Sequence, residues 1–141
     1  MIRINPFRAE DALELVLQPT QLVALSWHDR QRAAHRFGEA GNAFTVRDAC
    51  DRAIFCGGAI EQHAGYATLW GLFALDKRHA SFRLLTATRR FIAGLPHRRV
   101  DATLEDRAEA KRWAWLLGLR PDAILTDAAP DGGDLQIWRR V

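Results

Sequence analysis

The residues best suited to chemistry are crowded into one short run, Lys77-Arg78-His79-Ala80-Ser81-Phe82-Arg83. Apolar sequence before it reads as a strand and periodic sequence after it as a helix. A loop that leaves a strand and opens a helix presents unbonded backbone N–H groups at the positive end of the helix dipole, and such a turn seats an anion. Arg78 and Arg83 add planar guanidinium forks that match phosphate, and Lys77 adds a compact charge. His79 suits phosphate binding or proton transfer, although a histidine beside two cations on a surface loop is more often incidental. The expected ligand bears a phosphate and sits on residues 76–82.

The elements that hold this loop are legible. Tyr66-Ala67-Thr68-Leu69-Trp70-Gly71-Leu72-Phe73-Ala74-Leu75 carries no charge and is rich in aromatic and branched residues, which predicts a buried strand. Leu84, Leu85, Thr88, Phe91, Ile92 and Leu95 recur at three- and four-residue spacing and predict a helix that Gly94 and Pro96 end. Before these come a first strand at Ile2–Asn5, a helix from Arg8 to Leu17, and a second helix somewhere between Thr20 and Phe37. Strands at Ala43–Arg47 and Ala53–Ile60 follow, and the Gly57-Gly58 pair marks a bulge or a close approach. After the central helix the chain reads as a strand over Arg98–Leu104 and a helix opened by a capping box at Asp106–Glu109. Gly118 closes that helix and Pro121 stops it. A short strand at Ala123–Thr126, a turn at Asp131–Asp134 and a last strand at Leu135–Arg139 complete the chain. The order is β-α-α-β-β-β-α-β-α-β-β. This predicts one α+β domain over residues 1–141, with a mixed, mainly antiparallel sheet of about seven strands and about four helices.

Composition narrows the class. At 48% hydrophobic and 26% charged, 141 residues describe an ordinary globular domain. No apolar run is long enough for a membrane span and no leader pattern opens the chain, so a cytoplasmic location is expected. Cys50 and Cys56 lack metal-ligand spacing and read as reduced thiols; no metal is expected. Residues 77–120 hold eleven Lys/Arg against four acids, so the basic half contains the anion loop. That bias also suits a solvated arginine face or nucleic acid. The aromatics there lie on apolar stripes, which ranks nucleic acid last.

Three places in the sequence resemble the GCN5-related N-acetyltransferases (GNAT), and together they span nearly the whole chain. The Ile2-Arg3 strand leading to a helix with Asp11 near its start resembles the family's first motif. Tyr66–Leu95 resembles its acetyl-coenzyme A segment. Ala110 followed by Trp113-Ala114-Trp115-Leu116-Leu117-Gly118-Leu119 is similar to its late helix. Two departures stand out. Arg78–Arg83 contains no glycine where the family usually has Gly-x-Gly or Gly-x-Ala, and Ala114 stands where it usually carries a general-acid tyrosine. Arg107 also replaces an asparagine often found at the start of that helix.

The resemblance implies acyl transfer from acetyl-CoA or another acyl-CoA to an amine. It implies a cofactor site built from Leu72, Phe73, Leu75, Lys77, Arg78, His79, Ala80, Ser81, Phe82 and Arg83. Backbone N–H groups of the strand would polarise the thioester, and a carboxylate or water would take the amine's proton. Asp101, inside the fifth strand, and Glu61 and Glu105, at strand ends, are the carboxylates nearest the expected cleft. For the last two a solvated turn residue is the commoner case. The departures support a second reading: a GNAT-fold binding module without turnover, or an internal virion-like protein of a phage or prophage. A homodimer or another protein partner stays open. Trp70, Trp113 and Trp138 are expected in the core, and Trp115 at a pocket or interface.

Overall fold

The computed structural model describes residues 2–15, 27–74 and 82–141, with backbone alone for residues 27–30. Its elements are β1 (Arg3–Pro6), α1 (Ala9–Glu14), α2 (Trp27–Ala40), β2 (Ala43–Arg47), β3 (Ala53–His63), β4 (Tyr66–Phe73), α3 (Phe82–Gly94), β5 (Arg99–Glu105), α4 (Ala108–Leu116), β6 (Leu119–Leu125) and β7 (Leu135–Arg140). The strands form one seven-stranded sheet in the order β1-β2-β3-β4-β5-β7-β6. The β4–β5 pair is parallel, while β1–β2, β2–β3, β5–β7 and β6–β7 are antiparallel. Fold class and element order are those expected from the sequence.

The chain divides into two compact units, Met1–Ile60 with Trp70–Ser81 and Glu61–Leu69 with Phe82–Val141, so the boundaries fall within β3, within β4 and at the start of α3. In the first unit, α1 begins where the Arg8 N–H donates to the Asp11 carboxylate at 3.0 Å, and Glu10 and Asp11 suit the positive end of the helix. Ala12 and Leu15 then pack with Ala34, Ala53, Cys56 and Leu72, edged by Phe7, Phe37 and Trp70. Trp70 stacks on Phe37 at 3.9 Å and meets the Phe7 ring edge-on at 5.1 Å. Gly58 is required by close approach. A Cβ there would lie 2.6 Å from the Asn42 carbonyl oxygen, where β2 and β3 pair at Ala43↔Gly58. Burial pushes the Cys56 thiol up to about 12, which makes it a packing residue.

In the second unit, Leu84, Thr88 and Ile92 form the buried face of α3, as their spacing predicts. The helix is closed at its C-terminus by Arg140, which donates to the carbonyls of Ile92 (2.7 Å), Leu95 (2.9 Å) and His97. Gly118, at φ +89°, follows α4 in the left-handed region. The 131–134 turn holds as read, with the Asp131 carboxylate accepting the Gly133 N–H at 2.9 Å and Gly132 at φ +86°.

Several expected boundaries move. Pro121 lies inside β6, not after a helix stop, because β6 is an edge strand and its register shifts between Pro121 and Ala123. Asp106 does not cap α4. Arg107 occupies the cap position without a side-chain cap bond, and Asp106 binds Lys111 and, at 3.2 Å, Gln136. The first helix ends at Glu14, and α2 runs three residues past Phe37. The expected contributions of Val16, Leu17 and residues 20–26 lie outside the described residues.

Candidate active site

The strand and helix that bracket the basic loop are both present. Leu72 is buried in the first unit's core, and Phe73 packs its ring against Phe55 at 4.8 Å. Ala74 donates its N–H to the Ile54 carbonyl in β3 at 3.0 Å. Strand alternation therefore turns the Phe73 N–H toward the other edge of β4. Leu75, Lys77, Arg78, His79, Ala80 and Ser81 lie outside the described residues. Phe82 and Arg83 are the first two residues of α3, both exposed, and no acid occupies that first turn. The helix end thus keeps the polarity an anion prefers.

The parallel β4–β5 ladder is short. Its partners run from Tyr66↔Arg99 through Ala67↔Val100 and Thr68↔Asp101 to Leu69↔Ala102. Beyond that pair β4 continues to Phe73 and β5 to Glu105.

The three carboxylates singled out in the sequence occupy different settings. Asp101 is 3% exposed. It accepts hydrogen bonds from the Tyr66 hydroxyl at 2.8 Å, Thr68 Oγ1 at 3.3 Å and Arg99 Nε at 3.0 Å. Glu105, at the end of β5, receives Arg107 Nε at 3.0 Å and remains about one-third exposed. Glu61 lies near the end of β3, beside the turn that opens β4, and its side chain is 62% exposed. Its partner is the buried His97, whose Nε2 lies 2.9 Å from Oε1 while Nδ1 has no partner among the described residues. Leu72 and Phe73 stand at the other end of β4 from Glu61.

Sequence reasoning missed the network around Asp101. Arg99 reaches Asp122 in β6 at 2.8 Å, and Asp122 also lies 3.4 Å from Arg139 in β7. Asp122, then Asp101, hold the Arg99 pKa above its ordinary value, and Arg99 in turn holds the Asp122 carboxyl below the usual carboxylate range. A signal was available. Arg99 and Asp101 stand two apart on one strand, and Tyr66 and Thr68 two apart on another, so each pair shares a face. Only register brings the pairs together.

Ala114, which stands at the family's tyrosine position, is buried. Its neighbour Trp115 is 54% exposed and carries the Arg120 guanidinium 3.6 Å above its ring. Trp138 is buried, as expected of a core residue. Among the described residues no cluster of His, Cys, Asp and Glu is placed to hold a metal ion, and no helix is long and apolar enough to cross a membrane.

Neither a protein-family model nor a curated protein matches the sequence. Solved structures do match, over nearly the full chain. A structure described as a putative phosphinothricin N-acetyltransferase aligns with TM-score 0.75 at 12% identity, covering 99% of this chain and 98% of that one. A GNAT-superfamily phosphinothricin acetyltransferase from Sinorhizobium meliloti, in complex with acetyl-CoA, aligns with TM-score 0.72 at 13% identity, covering 99% and 87%. A variant of spermidine N-acetyltransferase from Vibrio cholerae aligns with TM-score 0.69 at 13% identity, covering 99% and 94%. At such identities the likeness is one of fold.

Proposed function

We propose, from a chain that has the fold of the GNAT acetyltransferases, that this protein transfers an acyl group from acyl-CoA to an amine. The observation that carries the reading is the β4–β5 ladder, which stops at Leu69↔Ala102 while both strands continue. An extended ligand, in this reading, runs along β4 beyond Leu69, and a backbone N–H of that strand polarises the thioester oxygen. In this reading the pyrophosphate occupies residues 76–82 at the start of α3, with Arg78 and Arg83 as its charged partners. The acetyl-CoA complex of the S. meliloti relative and the spermidine acetyltransferase make acetyl-CoA and a small amine the first ligands to test.

Glu105 is the carboxylate assigned to take the amine's proton. It ends the β5 segment that continues past the last β4–β5 pair, and it keeps access to solvent. With alanine at position 114, no side chain there supplies a proton to the thiolate, so the leaving group takes its proton from water.

Calorimetric titration with acetyl-CoA, followed by thiol release with a panel of amines, tests the reading. Saturable binding at roughly micromolar concentration is expected. It should be lost when Arg78 and Arg83 are both changed to Glu. Glu105→Gln should lower kcat by roughly a hundredfold or more while acetyl-CoA still binds. Absence of both heat and thermal shift at about millimolar ligand would sink the proposal and favour a scaffold of the same fold.

A further inference from the structure

We infer that Asp101 is a positioning residue: it fixes the point at which the β4–β5 ladder stops, and it is not the group that takes the proton. The inference rests on the acyltransferase reading for its consequence, and on the geometry of the second unit for its content.

The Asp101 carboxylate joins the two strands. From β4 it takes the Tyr66 hydroxyl and Thr68 Oγ1, and from β5 it takes Arg99 Nε. Thr68 is its register partner, and the next pair along, Leu69↔Ala102, is the last of the ladder. The clamp is therefore set one pair before the strands cease to pair. Four parallel pairs make a short ladder with slanted bonds, which backbone pairing alone holds weakly. Side chains that bridge its first and third pairs supply what ladder length does not. The bridge continues outward through Arg99 to Asp122 and from Asp122 to Arg139, so it ties β4 and β5 to β6 and β7 as well.

The same geometry argues against a proton acceptor. A base must offer an oxygen to its substrate, and both Asp101 oxygens already accept bonds: Oδ2 from Tyr66 and Arg99, Oδ1 from Thr68. The residue is also closed to solvent. In the acyltransferase reading the acyl-bearing arm lies against β4 just past this clamp. A shift in where the ladder ends then misplaces the ligand without removing any reacting group.

The test uses the whole chain with Asp101→Asn, Tyr66→Phe and the double variant. Hydrogen exchange is measured over residues 66–69 and 99–102, and kcat and KM for acetyl-CoA across pH. Asparagine keeps an acceptor oxygen but loses the charge that holds Arg99, and Tyr66→Phe removes a single donor, so the fold survives at least the second change. Expected are faster exchange at the end of the ladder and a KM for acetyl-CoA raised roughly tenfold, with kcat within about twofold and an unchanged pH profile. The double variant should be little worse than Asp101→Asn, because the two side chains act through one bond. A fall in kcat of roughly a hundredfold or more in Asp101→Asn, at unchanged KM and with the acid limb of the profile lost, would make Asp101 the base and overturn the inference. Exchange and KM both unchanged in all three variants would overturn it equally. If the wild-type protein turns over no acyl-CoA, the acyltransferase reading fails by itself. Exchange then still decides the clamp, supporting it if faster in the variants and overturning it if unchanged.

Discussion

Each unit holds a buried aspartate bonded to an arginine of the sheet, Asp11 to Arg47 in the first and Asp101 to Arg99 in the second, and these two pairs have opposite surroundings. In the first unit Asp11 meets Arg47 at 2.6 Å, and the arginine side chain is only 10% exposed. Asp11 also accepts from Thr45 Oγ1 and the Arg8 N–H, while Arg47 donates further to Glu14 and to the Asp51 carbonyl. The whole set straps α1 to β2. In the second unit Asp101 meets Arg99 at 3.0 Å, but that arginine is 39% exposed and hands its charge on to Asp122. Both arginines have raised pKa values, Arg47 chiefly through Glu14 and Arg99 chiefly through Asp122. The residue types are the same in each pair. What differs is whether the cation reaches water, and that decides whether the pair is an interior strap or the inner end of a chain of charges.

The widest gap between the pairs should appear when one partner is removed. Asp11→Ala leaves Arg47 as a buried cation with only the half-exposed Glu14 to answer it. About 3–5 kcal/mol of stability should be lost, read as a lower urea midpoint at unchanged slope. Asp101→Ala instead leaves Arg99 open to water and still paired with Asp122, so the loss should be smaller by the same measurement, about 1–3 kcal/mol set by the Tyr66 and Thr68 hydroxyls that lose their acceptor. Equal costs for the two variants would break the comparison.

The smallest effect is one of pH. Folding lowers the Asp122 pKa, mainly through the Arg99 hydrogen bond, so its contribution is present above the unfolded value of about 3.9. That contribution is lost as pH falls through the folded value. Melting temperature followed into acid should show this limb in the wild type, and the limb should flatten in Arg99→Gln. An identical acid limb in both would mean that the outer half of the network carries no linkage.

Much of this fold was legible because its signals are local. Leu84, Thr88 and Ile92 lie on one helical face by spacing alone, and that face is buried. Gly57-Gly58 marked the close approach of β2 and β3 because no side chain fits 2.6 Å from a carbonyl oxygen. The readings that moved involved a choice among partners. Asp106 was a fit cap residue, yet Lys111 and Gln136 competed for it and won. Pro121 was a fit helix stop, yet at a sheet edge its missing N–H costs nothing and the strand runs through it.

The candidate site divides along the same line. Sequence alone determined the strand, the helix, the basic residues between them and the carboxylates on β5, since each follows from residue type and periodicity. Tertiary structure decided that Thr68 stands opposite Asp101, that Tyr66 and Arg99 close on the same carboxylate, and that Glu61 answers to His97. Strand register couples residues some thirty positions apart through backbone hydrogen bonds that are nearly the same for every side chain. No local pattern records it, and only the assembled sheet selects it.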